Sequence, residues 1–316
     1  MNKNVLVTGA GGFIGINLID ALLKRGDEVH VLRRPNNKQI RLTGVKKKIK
    51  SHTIDISNDA DVLKLVRKIK PKQVFHLAHY GGNPKENDSV ELRKVIIDGT
   101  RAIFNACAQV ESIKAVVHTG SSSEYGTKLS PMREDMLLEP SIPYGCAKAW
   151  ATLYGQYLAR EKNVPIVTLR LFSVFGPWEM ETRFIPAAIL ACLNETVFKL
   201  SNPKTVRDFV FVEDVVGAIL LAAKNTCTGE VINIGSGRQT SLKKTADLIF
   251  KNTEKKPSHV KVGGSGRSFD RANVVWKANI SKAKKLLNWE PIFSLEEGIT
   301  QTIKWINENE KFYKTI

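Results

Sequence analysis

The stretch VLVTGAGGFIG, Val5 to Gly15, carries an apolar strand straight into a glycine-punctuated turn and out into an apolar helix. Its spaced glycines have separate physical tasks. Gly9 permits the tight turn, Gly12 lets the backbone approach a phosphate, and Gly15 lets helix and strand pack closely. The N–H groups at the start of the helix, around Phe13 and Ile14, are then available to a pyrophosphate. A glycine triplet alone is a weak signal; at the first strand–helix junction of an α/β chain it predicts a dinucleotide site.

Working outward, strand-like and helical runs alternate. EVHVL and SHTI are followed by a helix near Asp59 to Ile69, then QVFHLA and a long helix across about Val90 to Val110. AVVHTG, a helix over about Tyr144 to Lys162 and PIVTLRLF come next. The strands are continuously apolar, as a parallel sheet covered on both faces requires, so the expectation is a doubly wound parallel sheet. After Phe172 the alternation weakens into loops with Pro177, Pro186 and Pro203, shorter helices, the GGSGRS stretch and a terminal amphipathic helix. This predicts a dinucleotide-binding domain over residues 1–171, rejoined by about 207–234, and a smaller C-terminal α/β substrate domain over 172–206 and 235–316.

Composition narrows the function classes. With 316 residues, 42% of them hydrophobic, the chain can bury a sizeable core. No apolar run is long enough to cross a bilayer, and the N-terminus enters a strand without a leader-like segment, so a soluble, cytoplasmic protein with no membrane partner is expected. Cys107, Cys146, Cys192 and Cys227 are widely spread and form no C-x-x-C pair, which predicts buried thiols and neither metal nor disulfides. The charge of +17, with a cluster at Lys46 to Lys50, favours capture of anionic partners. Basic amphipathic helices, RNP-like aromatics and zinc-finger spacing are missing, so the expected partner is a small anionic molecule and not a nucleic acid.

The end of the second strand discriminates between cofactors. A carboxylate there accepts from free ribose hydroxyls, whereas arginine suits a 2′-phosphate. The positions hold Arg33 and Arg34. Guanidinium groups can grip a phosphate in a charge-assisted fork, so NADP(H) is favoured, with NAD(H) the alternative. Further on, SIPYGCAKAW sets Tyr144 four residues before Lys148. On a helix these share one face and could present phenol and ammonium to one small volume.

VTGAGGFIG, HTGSSSEYG, the Tyr144/Lys148 pair, VRDFVFVEDV, NIGSG and LLNWEPIFSLEEGI occur in this order. Together they cover nearly the whole chain, which resembles the extended short-chain dehydrogenase/reductases and, more narrowly, their nucleotide-sugar epimerase, dehydratase and reductase branch. The resemblance implies a Rossmann-type fold. It implies that Tyr144 exchanges a proton with a substrate oxygen while hydride moves to or from nicotinamide, and that Lys148 lowers the phenol pKa and bonds the cofactor ribose. Ser121, four residues before Tyr125, is the implied third catalytic member. Ser122 and Ser123 are expected to line the sugar pocket. Asp55 is expected to bond the adenine amino group with Ile56 beside the ring, and Leu77 and Ala78 to lie under the pyrophosphate and nicotinamide ribose. His76 and His79 have no third ligand nearby in sequence and are expected not to hold a metal.

For the substrate, the resemblance assigns Arg207 to the nucleotide diphosphate, with Arg267 and Arg271 as candidates for the same work. Where the family usually has Asn after the Phe of LRLF, this chain has Ser173, a shorter donor. Dehydratases of the branch carry a Glu two residues before the Tyr of the Y-G motif, often after an Asp. Here those positions are Ser123 and Ser122, and Glu124 stands one place late, where an extended strand end turns it to the opposite side. Arg33 and Arg34 tilt the remaining choice toward NADPH-dependent reduction of a nucleotide-linked 4-keto-6-deoxyhexose. The alternatives are an NAD-dependent NDP-hexose 4-epimerase, a reductase of a non-sugar carbonyl, and, in another class, a non-catalytic NADP-binding regulatory protein. Two long helices, about Val90 to Val110 and Tyr144 to Lys162, match those that pair in family homodimers.

Overall fold

The computed structural model describes residues 3–35, 40–82, 88–225, 227–263 and 274–315. Its first half runs β1 (Asn4–Thr8), α1 (Phe13–Lys24), β2 (Glu28–Arg33), a 3-10 segment (Ile40–Lys48), β3 (Lys50–Thr53), α2 (Asp59–Ile69) and β4 (Gln73–His76). It continues with α3 (Ser89–Leu92), a π-helical segment (Arg93–Asp98), α4 (Gly99–Cys107), β5 (Ala115–Ser121), a 3-10 turn (Ser122–Glu124), α5 (Pro143–Lys162) and β6 (Ile166–Leu171). The second half contains β7 (Ser173–Phe175), α6 (Phe184–Leu193), β8 (Val197–Leu200), β9 (Val206–Arg207), β10 (Phe209–Phe211), α7 (Val212–Ala222) and β11 (Val231–Ile234). It ends with β12 (Thr240–Ser241), α8 (Leu242–Asn252), β13 (His259–Val262), α9 (Ser281–Leu287), α10 (Leu295–Glu308) and α11 (Glu310–Thr315).

Seven parallel strands form the central sheet in the order β3-β2-β1-β4-β5-β6-β11. Residues alternate between its faces, and each face carries its own helical layer. Val5, Val7, Val31, Phe75, Val117 and Leu169 pack with residues of α1, α7 and α9. Leu6, Val74, Val116 and Ile166 pack with α2, α4 and α5. A separate core gathers Phe175, Ile189, Phe198, Phe211, Ile249 and Ile303 from the elements that follow β6. No helix among the described residues is long and apolar enough to cross a membrane.

Chain direction across the sheet reverses between β1 and β4, which opens a crevice at their carboxyl ends. Register holds those ends level: Thr8 pairs with His76, and His76 with His118. Two details depart from the sequence expectations. The long helix near Val90 to Val110 is α3 and α4 joined by a π-helical segment, and the widened turn brings Gly99 against Ile56, where an added Cβ would come within 2.9 Å. Cys107, Cys192 and Cys227 are buried, but Cys146 is exposed because the first turn of α5 presents it outward.

Gly15 supports the tightest contact of α1 with the turn before it. A Cβ there would land on the Gly9 carbonyl and lie 2.9 Å from Ala10 Cα, all backbone that cannot swing aside. Gly15→Ala is expected to destabilise by roughly 1–3 kcal/mol through overpacking. Gly44→Ala, whose Cβ would meet nothing within 4 Å, is expected to stay within about 0.5 kcal/mol of the parent. Urea melts of the two variants check this, and equal losses would contradict it.

Candidate active site

The glycine turn closes on itself through Gly12 N–H to Gly9 O at 2.9 Å, and α1 begins at Phe13 with no side chain capping its first turn. Gly9 has φ +70°, and a Cβ there would sit 2.6 Å from Ala78 N. Leu77 N–H donates to Thr8 O, and Ala78 N–H donates to Thr8 Oγ1, both at 3.2 Å. The structure therefore brings Gly9, Gly12, Phe13, Ile14 and Gly15 to one side of the crevice and Leu77 and Ala78 to the other. A backbone cradle that excludes Cβ atoms, opened at a helix N-terminus, fits a dinucleotide phosphate.

Where adenosine is expected, the picture is more mixed. Ile56 is buried, and Asp55 lies at the surface bonded to Lys94 Nζ at 2.7 Å and to Ser57. Partial burial works against charge on Asp55, but the bonds from Lys94 and Ser57 outweigh it and hold the carboxyl below its ordinary range. Arg34 does not stand beside Arg33 as a free second cation: its Nη2 donates to Glu91 at 2.6 Å. Arg33 Nε is buried with no hydrogen-bond partner among the described residues. Of the two arginines expected at a 2′-phosphate, Arg34 takes part in an exposed ion pair and Arg33 Nε is without a bond among the described residues.

Helix α5 starts at Pro143, which presets the φ of its first turn. Gly145 then packs against the turn that follows β5, where an added Cβ would fall 2.5 Å from Ser123 O. This contact holds the first turn of α5, which carries Tyr144, against the serine turn. Ser121 and Ser122 are buried, and Ser123 is half-buried. Lys148 is 2% exposed, and its Nζ donates to Thr119 O at 2.8 Å. Burial drives the Lys148 pKa down to about 8, with Glu124 pulling the other way. His76 and His118 lie nearby on β4 and β5. Burial and then the Lys148 charge keep both neutral, His76 at about 3. His76 bonds Thr8 and Thr100 through its two ring nitrogens. His79 Nδ1 contacts Leu77 O at 3.2 Å.

Glu124 points away from the sugar side for a different reason than strand alternation. Ser122–Glu124 form a 3-10 turn, not an extended strand end, and that turn drives the carboxylate into the core against Arg170. Among the expected substrate residues, Ser173 and Arg207 come together because Ser173 N–H donates to Asp208 O at 2.9 Å. The Arg207 guanidinium lies 5.3 Å from the Trp276 ring centroid, and Nη1 donates to Val206 O. Arg267 and Arg271 lie outside the described residues.

Several residues in and around the site were not singled out by sequence reasoning. Asp208 is buried and accepts from Ser236, Gly237 N–H and Ala278 N–H, tying the NIGSG turn to the Arg207 segment. Burial pushes it up to about 6 against those bonds. Arg183 Nη1 reaches across to Gly82 O at 3.0 Å, and its Nε to Glu179 at 3.4 Å. Glu179 is raised to about 7 by burial, opposed by Arg183. The available signal was an acidic residue beside an arginine or inside an apolar run, which sequence alone does not separate from a solvated loop.

The buried ammonium has a stability consequence. Its folded-state pKa is depressed from 10.5 to about 8, so the penalty is present in full below about 8 and lifts as pH rises toward 10.5. Lys148→Met is expected to raise stability near pH 7 by up to roughly 3 kcal/mol, less the lost bond to Thr119, with the gain fading above pH 8. Melts of both proteins across that window check the sign.

Comparison with known proteins agrees with this geometry. Residues 5–235 match the model of the NAD dependent epimerase/dehydratase family. UDP-glucuronate 4-epimerase of Thermodesulfobacterium geofontis is 31% identical, with 98% of each chain covered. The solved structure of UDP-glucose 4-epimerase from Thermotoga maritima with UDP-glucose superposes with a TM-score of 0.88 at 27% identity, covering 98% of this chain and 100% of the other. That of UDP-glucuronic acid 4-epimerase from Bacillus cereus, in complex with UDP-glucuronic acid and NAD, gives 0.82 at 26%, covering 96% and 99%. With its Rossmann-type sheet and glycine cradle, the chain belongs to the NAD-dependent epimerase/dehydratase family, within the extended short-chain dehydrogenase/reductases.

Proposed function

We propose that this enzyme is an NAD-linked epimerase that inverts C4 of a nucleotide-bound hexose. The observation that carries this reading is the turn after β5. It carries Ser121 and packs against Gly145 in the first turn of α5, next to Tyr144 in the chain, while its one carboxylate, Glu124, is spent on Arg170 inside the core. No acid from this turn faces the sugar to expel water from it, which disfavours dehydration. The pairing of Arg34 with Glu91 weakens the case for a 2′-phosphate and with it the main support for a reductase. The two epimerases that match the chain over 98% of its length point the same way.

A bound nicotinamide supplies the hydride acceptor and, in the opposite sense, the donor. Tyr144 takes the proton from the C4 hydroxyl as the 4-keto sugar forms and returns it after the sugar presents its other face. Lys148 stabilises the phenolate that does this work, and the Ser121 hydroxyl bonds the same oxygen. The cradle of Gly9, Gly12, Phe13, Ile14 and Gly15 with Leu77 and Ala78 holds the dinucleotide, and Asp55 and Ile56 hold adenine. Arg207 and Ser173 grip the substrate diphosphate while Ser122 and Ser123 line the sugar pocket. A second reading, NADPH-dependent reduction of a 4-keto-6-deoxyhexose, is favoured by one observation, the unpartnered Arg33 Nε at the end of β2.

The reading extends to a cytoplasmic homodimer and to the division between residues 1–171 with 207–234 and the remainder. For the dimer the support is an apolar face of α5 and α3, where Val90, Leu153 and Tyr157 are exposed and Trp150, Tyr154 and Tyr157 stack in series. Light scattering at micromolar concentration is expected to give twice the monomer mass, and a monomer would contradict the dimer.

Incubation with UDP-, dTDP-, GDP- and CDP-hexoses, with no cofactor added, tests the activity. Product NMR is expected to show a 4-epimer of at least one, and activity that appears solely on adding NADPH to a 4-keto sugar supports the second reading. With the substrate so identified, Tyr144→Phe should lower kcat by about 100-fold or more while leaving the melting temperature and dinucleotide affinity nearly unchanged. Near-parental kcat in that variant would remove Tyr144 from the chemistry.

A further inference from the structure

Beneath Ser121 lies an ion pair that the reaction chemistry leaves unused. Glu124 is fully buried and Arg170 is 3% exposed. Arg170 Nε donates to Glu124 Oε2 at 2.7 Å, and the other carboxylate oxygen accepts from Ser121 N–H at 2.7 Å. The Ser121 hydroxyl accepts from Ser123 N–H at 3.1 Å, which completes a capping box around the turn. Arg170 Nη1 donates to the Tyr125 hydroxyl, which donates to Asn233 Oδ1. Space for the carboxylate exists because residue 120 is glycine: a Cβ there would lie 2.6 Å from Glu124 Oε1.

Stability gives a poor reason for such a pair. Two charges taken out of water lose hydration that their attraction seldom more than offsets, and apolar residues of similar volume often serve a core as well. The charged and titratable groups that face Lys148 supply a better one. From β4 and β5 come His76 and His118, both neutral; one turn earlier on its own helix stands Tyr144; and from the turn after β5 comes the Glu124 carboxylate. Arg170, from β6, bonds the other side of that carboxylate. Burial works against charge on both partners, but Arg170 and the Ser121 N–H pull Glu124 back toward its ionised form, and the pair holds Arg170 protonated.

We propose that Glu124, clamped by Arg170, is a positioning residue of the active site: it orients the turn that carries the Ser121 hydroxyl and is the counter-charge to the buried Lys148 ammonium. The inference rests on the assignment of Ser121, Tyr144 and Lys148 as the catalytic set. Glu124 touches neither substrate nor cofactor. Its effect passes through Ser121 N–H and through the field at Lys148.

The test exchanges the ion pair for a neutral amide pair, Glu124→Gln with Arg170→Gln, so that no charge is left buried alone. Lysine labelled with 13C at Cε, with the Lys148 signal identified by its loss in Lys148→Met, reports the titration directly and needs no substrate. A failed sugar assignment therefore leaves this readout standing. The Lys148 midpoint is expected to fall, because of the two charges removed it is Glu124 that pulls the Lys148 pKa up. On the identified substrate kcat should fall about tenfold with KM little changed. An unmoved midpoint, or a kcat within about twofold of the parent, overturns the proposal. If the double variant does not fold, Glu124→Asp decides: charge retained on a shorter arm must keep the midpoint in place while kcat drops, and an unchanged kcat overturns the proposal.

Discussion

The approach of Gly9 to the Leu77–Ala78 backbone is the contact on which the site is organised. It occurs where β1 and β4 run side by side and the chain departs in opposite directions from their ends. A side chain at Gly9 would collide with Ala78 N, and one at Gly15 with the turn itself, so the two halves of the crevice close to backbone distance. Thr8 seals that approach by accepting from both Leu77 and Ala78 N–H groups, and His76 fixes the Thr8 hydroxyl from below. Everything that follows, from the first turn of α1 to the placement of α5 over β5, is referred to this edge.

A second layer of organisation is polar and buried. From Ser121 the bonds run through Glu124, Arg170 and Tyr125 to Asn233, whose amide donates to Met132 O. Met132 N–H donates to Lys277 O, and the neighbouring Ala278 N–H donates to Asp208, beside Arg207. The expected catalytic serine and the expected diphosphate arginine are therefore linked by a path of hydrogen bonds and short backbone steps. Separate motifs acquire a common cause in this way. Asp208 of the VRDF segment holds the NIGSG turn, and Asp214 of the following VEDV accepts from Ile292 and Phe293 N–H in the C-terminal motif. These short sequences occur together because each supplies the other's hydrogen-bond partner.

Local signals were legible in the sequence and long-range ones were not. The glycine turn, the strand alternation and the Tyr144/Lys148 spacing each depend on residues a few positions apart, so periodicity and backbone rules reach them. Arg34 meets Glu91 across 57 residues and Arg183 meets Gly82 across 101, separations no local pattern encodes. That is why the pairing of Arg34 with Glu91 was not visible beside Arg33. Glu124 failed for a different reason: its direction depends on whether β5 ends extended or in a 3-10 turn, and a run of three serines is compatible with either. Exposure of Cys146 was likewise hidden, because α5 carries small residues on more than one face.

An epimerase returns to carbon what it took from carbon, without consuming an external reductant. The most direct test is to supply the nucleotide-hexose identified in the panel with deuterium at C4, in ordinary water and with no cofactor added. The account predicts a 4-epimer that keeps the deuterium at C4, with no net change in the dinucleotide carried by the protein. Loss of the label to water, or no turnover until NADPH is supplied, would contradict it.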